Sequence, residues 1–116
     1  MTEKKNTSKR LSREQVLNIM DIREEEIYIP EWDGTAVVRG LTGAQRDKLA
    51  KRSMVDGIVD PPKFRLGLIL EGCIDPKFEP EDIDTLNTKN VKALERISSA
   101  VSRISGFDEE EAEKKS

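Results

Sequence analysis

Residues 27–41, IYIPEWDGTAVVRGL, have the clearest strand-turn-strand pattern of the chain and contain its only Trp and its only Tyr. Two short β-branched runs flank Trp-Asp-Gly-Thr, and Asp-Gly predicts a tight turn because Gly34 can take a positive φ without a Cβ clash. Ile27 and Ile29 alternate with more polar neighbours, as in a half-buried strand. Pro30 has no N–H, so the first strand ends there or lies at a sheet edge. Since a lone hairpin is marginal in water, helices must cover one face of it.

A helix is predicted directly after the hairpin. Thr42 and Gln45 match a capping box, in which each side chain accepts a hydrogen bond from the other residue's backbone N–H, and the helix should run to about Met54. Gly57 is expected to cap it, and residues 58–59 to form a short extended piece. Its predicted inner face consists of Ala44, Leu49, Ala50 and Met54. Its basic outer face consists of Arg46, Lys48, Lys51 and Arg52. Such a face is most often solvated, although it can also bind phosphate or an acidic partner.

A second capping box, Ser12 with Gln15, starts a shorter helix upstream of the hairpin. The apolar residues of this helix are Val16, Leu17, Ile19 and Met20. The acidic stretch at residues 21–26 is interpreted as a solvated linker before the first strand in preference to a binding patch. Residues 1–11 lack apolar periodicity and are expected to form a disordered basic arm.

The most apolar stretch of the chain lies at residues 64–74. It predicts a helix that is buried on more than one side and begins near Pro62, since Pro is tolerated in a first helical turn. Gly67 weakens this helix by about 1 kcal/mol relative to Ala, which indicates that another element approaches closely there. Cys73 is interpreted as a small buried hydrophobe, because the chain has no His that could activate it as a nucleophile.

Two more helices are predicted in the C-terminal third. A turn at residues 75–78 leads into a short helix that starts near Glu79, and its acidic first turn suits the helix dipole. Asn87 or Thr88 is expected to cap the last helix, and Gly106 to end it. The apolar face of that helix, spaced by three or four residues, consists of Val91, Leu94, Ile97, Val101 and Ile104. Its predicted polar side consists of Ser98, Ser99, Ser102 and Arg103.

The composition narrows the function classes. The chain has 116 residues, which suits one domain, and a net charge of −3. With no His and one Cys, it lacks the commonest general base and cannot build the usual zinc sites within one chain. It has no apolar run of about 18 residues, and its basic N-terminus has no apolar segment that would predict a secretory signal. An enzyme that uses only carboxylates or lysines is the remaining catalytic class, and no motif indicates one.

We therefore expect an α+β fold that is mostly helical, with one β-hairpin packed on about four helices. The single domain should span residues 12–107. The basic arm at residues 1–11 precedes it, and an acidic tail at residues 108–116, expected to be disordered, follows it.

Three segments of the chain together resemble the tail assembly chaperones of long-tailed bacteriophages, in the form common among phages and prophages of Gram-positive hosts. Residues 38–47, Val-Arg-Gly-Leu-Thr-Gly-Ala-Gln-Arg-Asp, resemble the family's strand that runs into a Gly-Leu-Thr/Ser-Gly helix start. The middle apolar helix followed by Asp-Pro-Lys-Phe at residues 75–78 and by the acidic residues 81–86 is the second match. The last helix closes on Ile-Ser-Gly-Phe at residues 104–107, which is similar to the family's Leu-Ser-Gly-Leu ending.

This resemblance implies a binding protein and not an enzyme. Such chaperones bind the tape measure protein, a very long helical chain that sets tail length, and keep it soluble in the cytoplasm of the host bacterium. Tail tube protein then polymerises around it, and the chaperone is absent from the mature tail. Many families also make a longer form by programmed frameshifting, which helps to recruit tail tube protein. Self-association is a further expectation, and contact with a membrane is not expected.

The surface that contacts the client is expected on the middle apolar helix, at the turn after it, or on the last helix. The candidate partner-binding residues are Leu66, Leu70, Phe78, Val101 and Ile104. The alternative interpretation is that each of these five residues lies in the core. The second function hypothesis is a small nucleic-acid-binding regulator that uses the arm and the basic helix face. The acidic sequence pI of about 5.2 and the lack of exposed stacking aromatics argue against it. We expect no cofactor, metal or catalytic residue.

Overall fold

The structure, a computed structural model, describes residues 9–107 of the chain. The predictions for residues 1–8 and for the acidic tail at residues 108–116 lie outside the described residues. The helices are α1 (Arg13–Asn18), α2 (Gly43–Ser53), α3 (Pro61–Gly72), α4 (Ile83–Leu86) and α5 (Val91–Ile104). The strands are β1 (Glu24–Ile29), β2 (Gly34–Arg39), β3 (Met54–Val55), β4 (Ile58–Val59) and β5 (Cys73–Asp75). The predicted α+β fold, mostly helical with a small antiparallel sheet, is confirmed.

The hairpin predicted around Trp-Asp-Gly-Thr consists of β1 and β2, which pair antiparallel from Glu24–Arg39 to Ile29–Gly34. The strand ends before Pro30, as predicted, and a 3-10 turn follows at Pro30–Trp32. The positive φ belongs to Asp33, at 51°, and not to Gly34. The reason is the longer connection, in which Asp33 closes the 3-10 turn by donating its N–H to the Pro30 carbonyl oxygen at 3.2 Å. Asp is one of the few residue types that tolerate this conformation.

Only residues 21–23 of the acidic stretch form a linker before the hairpin, because β1 already begins at Glu24. A further strand, β5, pairs with the other side of β2 and gives the sheet order β1-β2-β5. This strand was not predicted, since the sequence analysis placed Cys73 in the apolar helix. The pairing of Cys73 with Val38 ends α3 at Gly72 and turns the chain back along the sheet.

The core lies between this sheet and the two helices α3 and α5. Its largest fully buried side chains are Ile29, Val38, Leu49, Ile69, Leu94, Ile97 and Val101. The close approach predicted at Gly67 is confirmed: a Cβ there would lie 2.5 Å from Leu49 Cδ1 of α2. Gly72 plays the same part between α3 and α5, where a Cβ would meet the side chain of Val101. Two glycines therefore set how closely α3 packs against both neighbouring helices.

Both predicted capping boxes are present, at Ser12 with Gln15 and at Thr42 with Gln45. The cap of the last helix is Asn90 and not Asn87 or Thr88. Its side-chain oxygen accepts hydrogen bonds from the backbone N–H groups of residues 92 and 93 at 2.8 and 3.1 Å. The stretch before it is a turn that follows α4, so the sequence placed the start of the last helix too early.

The predicted helix faces need two corrections. In α2, Leu49 and Ser53 are buried, whereas Ala44, Ala50 and Met54 are exposed. The chain leaves the helix at Met54 to form β3, so Met54 cannot belong to an inner face. In α5, Ser98 and Ser102 are buried together with the apolar residues, because this helix packs against both α3 and the sheet. Val91, at its first turn, is exposed.

Candidate partner-binding surfaces

The five residues that the sequence analysis proposed for partner binding lie in or against the core. Leu66, Leu70 and Val101 are 5%, 3% and 0% exposed, so a partner could contact them only if the core opened. Phe78 and Ile104 are half-buried and pack against the same core from its margin. Their contact with a partner stays a prediction, and the exposed apolar residues of the molecule lie elsewhere.

The first exposed apolar surface is the segment around α1, which we define as residues 11–20 and call the α1 segment. Within the described residues, α1 contributes no side chain to the core. The exposed apolar residues of the segment are Leu11, Val16, Leu17, Ile19 and Met20, with exposed fractions from 52% to 92%. The helix itself is locally well formed. Ser12 N–H donates to Gln15 Oε1 at 2.8 Å, and Gln15 N–H donates to Ser12 Oγ at 3.1 Å.

The second exposed apolar surface is the hairpin of β3 and β4, which we call the ribbon. Its register pairs Met54 with Val59 and Val55 with Ile58, and all four side chains are 43% to 71% exposed. The turn between the strands consists of Asp56 and Gly57, both with positive φ. Gly57 is thus a hairpin residue and not the helix cap that the sequence analysis expected, although the extended conformation predicted for residues 58–59 is confirmed.

A groove of about 420 Å³ lies between β1 and α5 and is lined by Ile27, Tyr28, Lys92, Glu95, Arg96, Ser99, Ala100 and Arg103. Arg96 binds Glu31 with two hydrogen bonds of 2.7 and 2.9 Å, and Arg103 binds Glu25 with two of 3.0 and 3.2 Å. These guanidinium hydrogen bonds lower the pKa of the Glu31 and Glu25 carboxyls, and Glu31 raises the pKa of Arg96. The two fork-shaped pairs join α5 to the hairpin.

The hairpin also exposes two aromatic side chains, which the sequence analysis did not expect. Tyr28 is 57% and Trp32 38% exposed. The Tyr28 hydroxyl hydrogen-bonds Asp33 Oδ1 at 3.2 Å. Tyr28 also lines the groove beside Arg96 and Arg103, but these two guanidinium groups are already paired with Glu31 and Glu25.

The basic face of α2 is largely engaged within the chain. Glu71 of α3, only 8% exposed, lies 3.5 Å from Arg52 Nη2 and 4.0 Å from Lys48 Nζ. The Arg46 guanidinium lies 5.6 Å from the centre of the Phe107 ring. These contacts hold α2 against α3 and against Phe107, so three of the four basic residues have a structural role.

Cys73 is a core residue, as predicted. It is 0% exposed, and its thiol donates to the Pro76 carbonyl oxygen at 3.2 Å. Burial raises the pKa of the Cys73 thiol from 9.0 to about 11, against smaller lowering effects of a hydrogen bond at Asp75 and of the Lys77 charge. The thiol is therefore protonated at neutral pH, which is the opposite of what a nucleophile needs.

The part of the chain at residues 9–107 holds no group of three or more Cys, Asp or Glu side chains placed to bind a metal ion. None of its helices is long and apolar enough to cross a membrane. Comparisons with protein-family models, with curated proteins and with solved structures find no match to this chain.

The two exposed surfaces differ in how well the sequence indicated them. Four of the five apolar residues of the α1 segment were recognised as the apolar residues of a short helix, but their exposure was not predicted. The ribbon was recognised only as an extended piece. Its signal was Val-Asp-Gly-Ile at residues 55–58, since Asp-Gly between apolar residues favours a two-residue hairpin turn.

Proposed function

We propose that this protein is a tail assembly chaperone of a long-tailed bacteriophage or prophage. It binds the tape measure protein and keeps it soluble in the host cytoplasm while tail tube subunits polymerise around it. The proposal is supported by the sequence resemblance of three segments and by an α+β fold in which those segments form β2 with the start of α2, α3 with the turn after it, and α5.

The observation that carries the proposal is the uncovered α1 segment. An isolated helix shorter than about 12 residues is marginal in water, and α1 has six residues. Its capping box contributes about 1 kcal/mol, which is too little to hold so short a helix. Five large apolar side chains in and around it contact water. A partner that buries them would supply the missing stability.

The α1 segment suits a helical client. Val16 and Leu17 lie side by side in the last turn of α1, and Ile19 and Met20 follow directly after the helix ends at Asn18. A short apolar segment of this kind can pack against the apolar stripe of another helix. Lys9, Arg10 and Arg13 beside it are exposed and basic, which favours a client whose apolar stripe is flanked by acidic residues.

The size of the α1 segment also suits reversible binding. Burial of apolar surface contributes about 25 cal/mol per Å² before the cost of association, and a single segment of this size gives a weak contact. A long client offers many copies of the same stripe, so weak contacts can repeat along it. Tail tube subunits can then displace the chaperones one at a time.

The test is co-expression with the very long helical protein encoded downstream in the same gene cluster. Wild-type chain should raise the soluble fraction of that protein. The double variant Leu17→Lys/Met20→Lys should lose this effect, because each lysine places a charge where the client's apolar stripe would lie. Asn18→Lys, which adds a charge at another exposed position of the same helix, is the matched control and should retain it.

Circular dichroism of each purified variant checks the fold. No change is expected, because the substituted side chains are exposed. A client whose solubility is the same with and without the chain would refute the chaperone function itself. A client that the double variant solubilises as well as the wild type does would leave the chaperone function but exclude the α1 segment as its binding surface.

A further inference from the structure

We propose that the ribbon is a self-association surface, through which two copies of this chain join along their β3 edges about a twofold axis. This contact is separate from the α1 segment and does not depend on the proposed client. The occupant of the surface is a second copy of the chain, which the exposure, the edges and the charges of the ribbon favour.

The ribbon cannot be stable on its own. An isolated two-stranded hairpin is marginal in water, and each strand here has two residues. Directly opposed residues of an antiparallel pair point to the same face. Met54 and Val59 therefore occupy one face, and Val55 and Ile58 the other. Because all four are exposed, the ribbon is apolar on both faces.

The edges of the ribbon are unprotected, in contrast to the edge of the main sheet. β1 is also an edge strand, but Glu24, Glu25 and Glu26 occupy half of it, and charged residues on an edge are a common device against pairing with another chain. β3 and β4 carry only Met, Val and Ile. Neither strand pairs with any third strand in the part of the chain that the structure describes. The ribbon is thus the edge that favours pairing.

Charge selects β3 over β4 as the paired edge. Because Met54 and Val55 point to opposite faces, two β3 strands that pair antiparallel about a twofold axis place Met54 of one copy opposite Met54 of the other. The turn of one ribbon then lies beside the last turn of α2 in the second copy, which brings acidic Asp56 towards exposed, basic Lys51. Pairing through β4 would instead place Asp56 beside Pro61 and Pro62, which have no N–H to donate, and close to Asp60.

The experiment is sedimentation velocity of the full chain, without any client, over a wide range of concentrations. The wild type should change from one chain to two as concentration rises. Val55→Lys/Ile58→Lys places two charges on one face of the ribbon and should raise the dimer Kd by about tenfold or more. Leu17→Lys in the α1 segment is the matched control and should leave the Kd unchanged.

A second set of variants tests the pairing through β3. Asp56→Asn removes the charge but keeps the turn, since Asn-Gly is among the sequences that two-residue hairpins prefer. It should raise the Kd, and should have a smaller effect when Lys51→Ala is already present. Equal effects of Asp56→Asn in both backgrounds would exclude the contact with Lys51. A chain that stays monomeric at every concentration, or a dimer that only Leu17→Lys disrupts, would overturn the proposal.

Discussion

The helices α1 and α2 begin with the same local structure and reach opposite environments. Each starts with a capping box of a hydroxyl residue and a Gln three positions later. The paired hydrogen bonds are 2.8 and 3.1 Å at Ser12 and 3.0 and 3.1 Å at Thr42. Yet α2 buries Leu49 and Ser53, whereas α1, among the described residues, buries none of its own.

A capping box therefore fixes where a helix starts but not what the helix packs against. What places α2 in the core is a feature of another element: Gly67 of α3 leaves the space that Leu49 fills. Within the described residues α1 has no such counterpart, so its apolar side chains remain in water. In the proposed function that counterpart is supplied by the client. Equivalent substitutions in the α1 segment and in the core should therefore have different effects on stability.

The largest difference is expected for truncation of a leucine. Leu49→Ala removes a side chain that is 1% exposed and should lower the free energy of unfolding by about 2–5 kcal/mol. Leu17→Ala removes one that is 64% exposed and should change it by less than about 0.5 kcal/mol. Urea unfolding followed by circular dichroism measures both. A comparable loss at the two positions would mean that the α1 segment packs on the domain in solution.

The next largest difference is expected for a methyl group added to a glycine. In Gly72→Ala the new Cβ would lie 2.6 Å from Val101 Cγ2, and valine in a helix has little rotamer freedom to move away. Such overpacking should cost about 1–3 kcal/mol. In Gly43→Ala, at the start of α2, the Cβ meets nothing within 4 Å.

Gly43→Ala is therefore the control, and its protein should be as stable as the wild type or slightly more so, because Ala favours helix. The same urea titration compares the two variants. If Gly72→Ala were as stable as Gly43→Ala, the contact between α3 and α5 would be looser than the structure has it.

These comparisons also show how much the sequence could predict. Local signals were sufficient for both capping boxes, for the strand that ends before Pro30 and for the close approach at Gly67. The capping boxes and the end of the strand are signalled by residues that are close together in the chain. The close approach is signalled by a glycine inside a helix, where glycine is otherwise unfavourable. The fold class followed from these, since a hairpin needs helices to cover it.

The sequence could not predict features that depend on distant partners. β5 exists because Cys73 pairs with Val38, and an apolar run gives no sign of where its helix ends and a strand begins. For the same reason three of the five candidate partner-binding residues, Leu66, Leu70 and Val101, are buried in the core. Apolar periodicity shows which residues form the apolar face of an element. Whether that face is buried by the same chain, as at Leu66 and Val101, or is exposed to water, as at Leu17, depends on the tertiary structure.

A smaller difference is expected for removal of the caps themselves. Thr42→Ala takes the cap from a helix that belongs to the core and should lower the free energy of unfolding by about 1 kcal/mol. Ser12→Ala should melt α1 locally without changing the global value, since the core does not depend on it. Hydrogen exchange of the α1 amides, together with urea unfolding, separates the two effects. Loss of global stability in Ser12→Ala would contradict this separation.

The smallest difference is expected for the titration of a thiol. The pKa of Cys73 is about 11 in the folded protein against an ordinary value of 9.0. As pH rises through this window, the unfolded chain loses the thiol proton first, so the free energy of unfolding should fall between about pH 9 and about pH 11 and be unaffected below it. Cys73→Ala should lack this contribution, and the difference between the free energies of unfolding of the wild type and this variant at each pH isolates it.

A thiol moved to the α1 segment completes the comparison. In Cys73→Ala/Leu17→Cys the single thiol is exposed in the folded and the unfolded chain, so its pKa should be the same in both and its titration should not change stability. The added thiol should also react with a disulfide reagent in the native protein, whereas Cys73 should react only as fast as the core opens. A pH-dependent loss of stability in the double variant that exceeds the loss in Cys73→Ala would show that residue 17 is buried in solution. The α1 segment would then be part of the core, and the surface proposed for the client would not exist in the free protein.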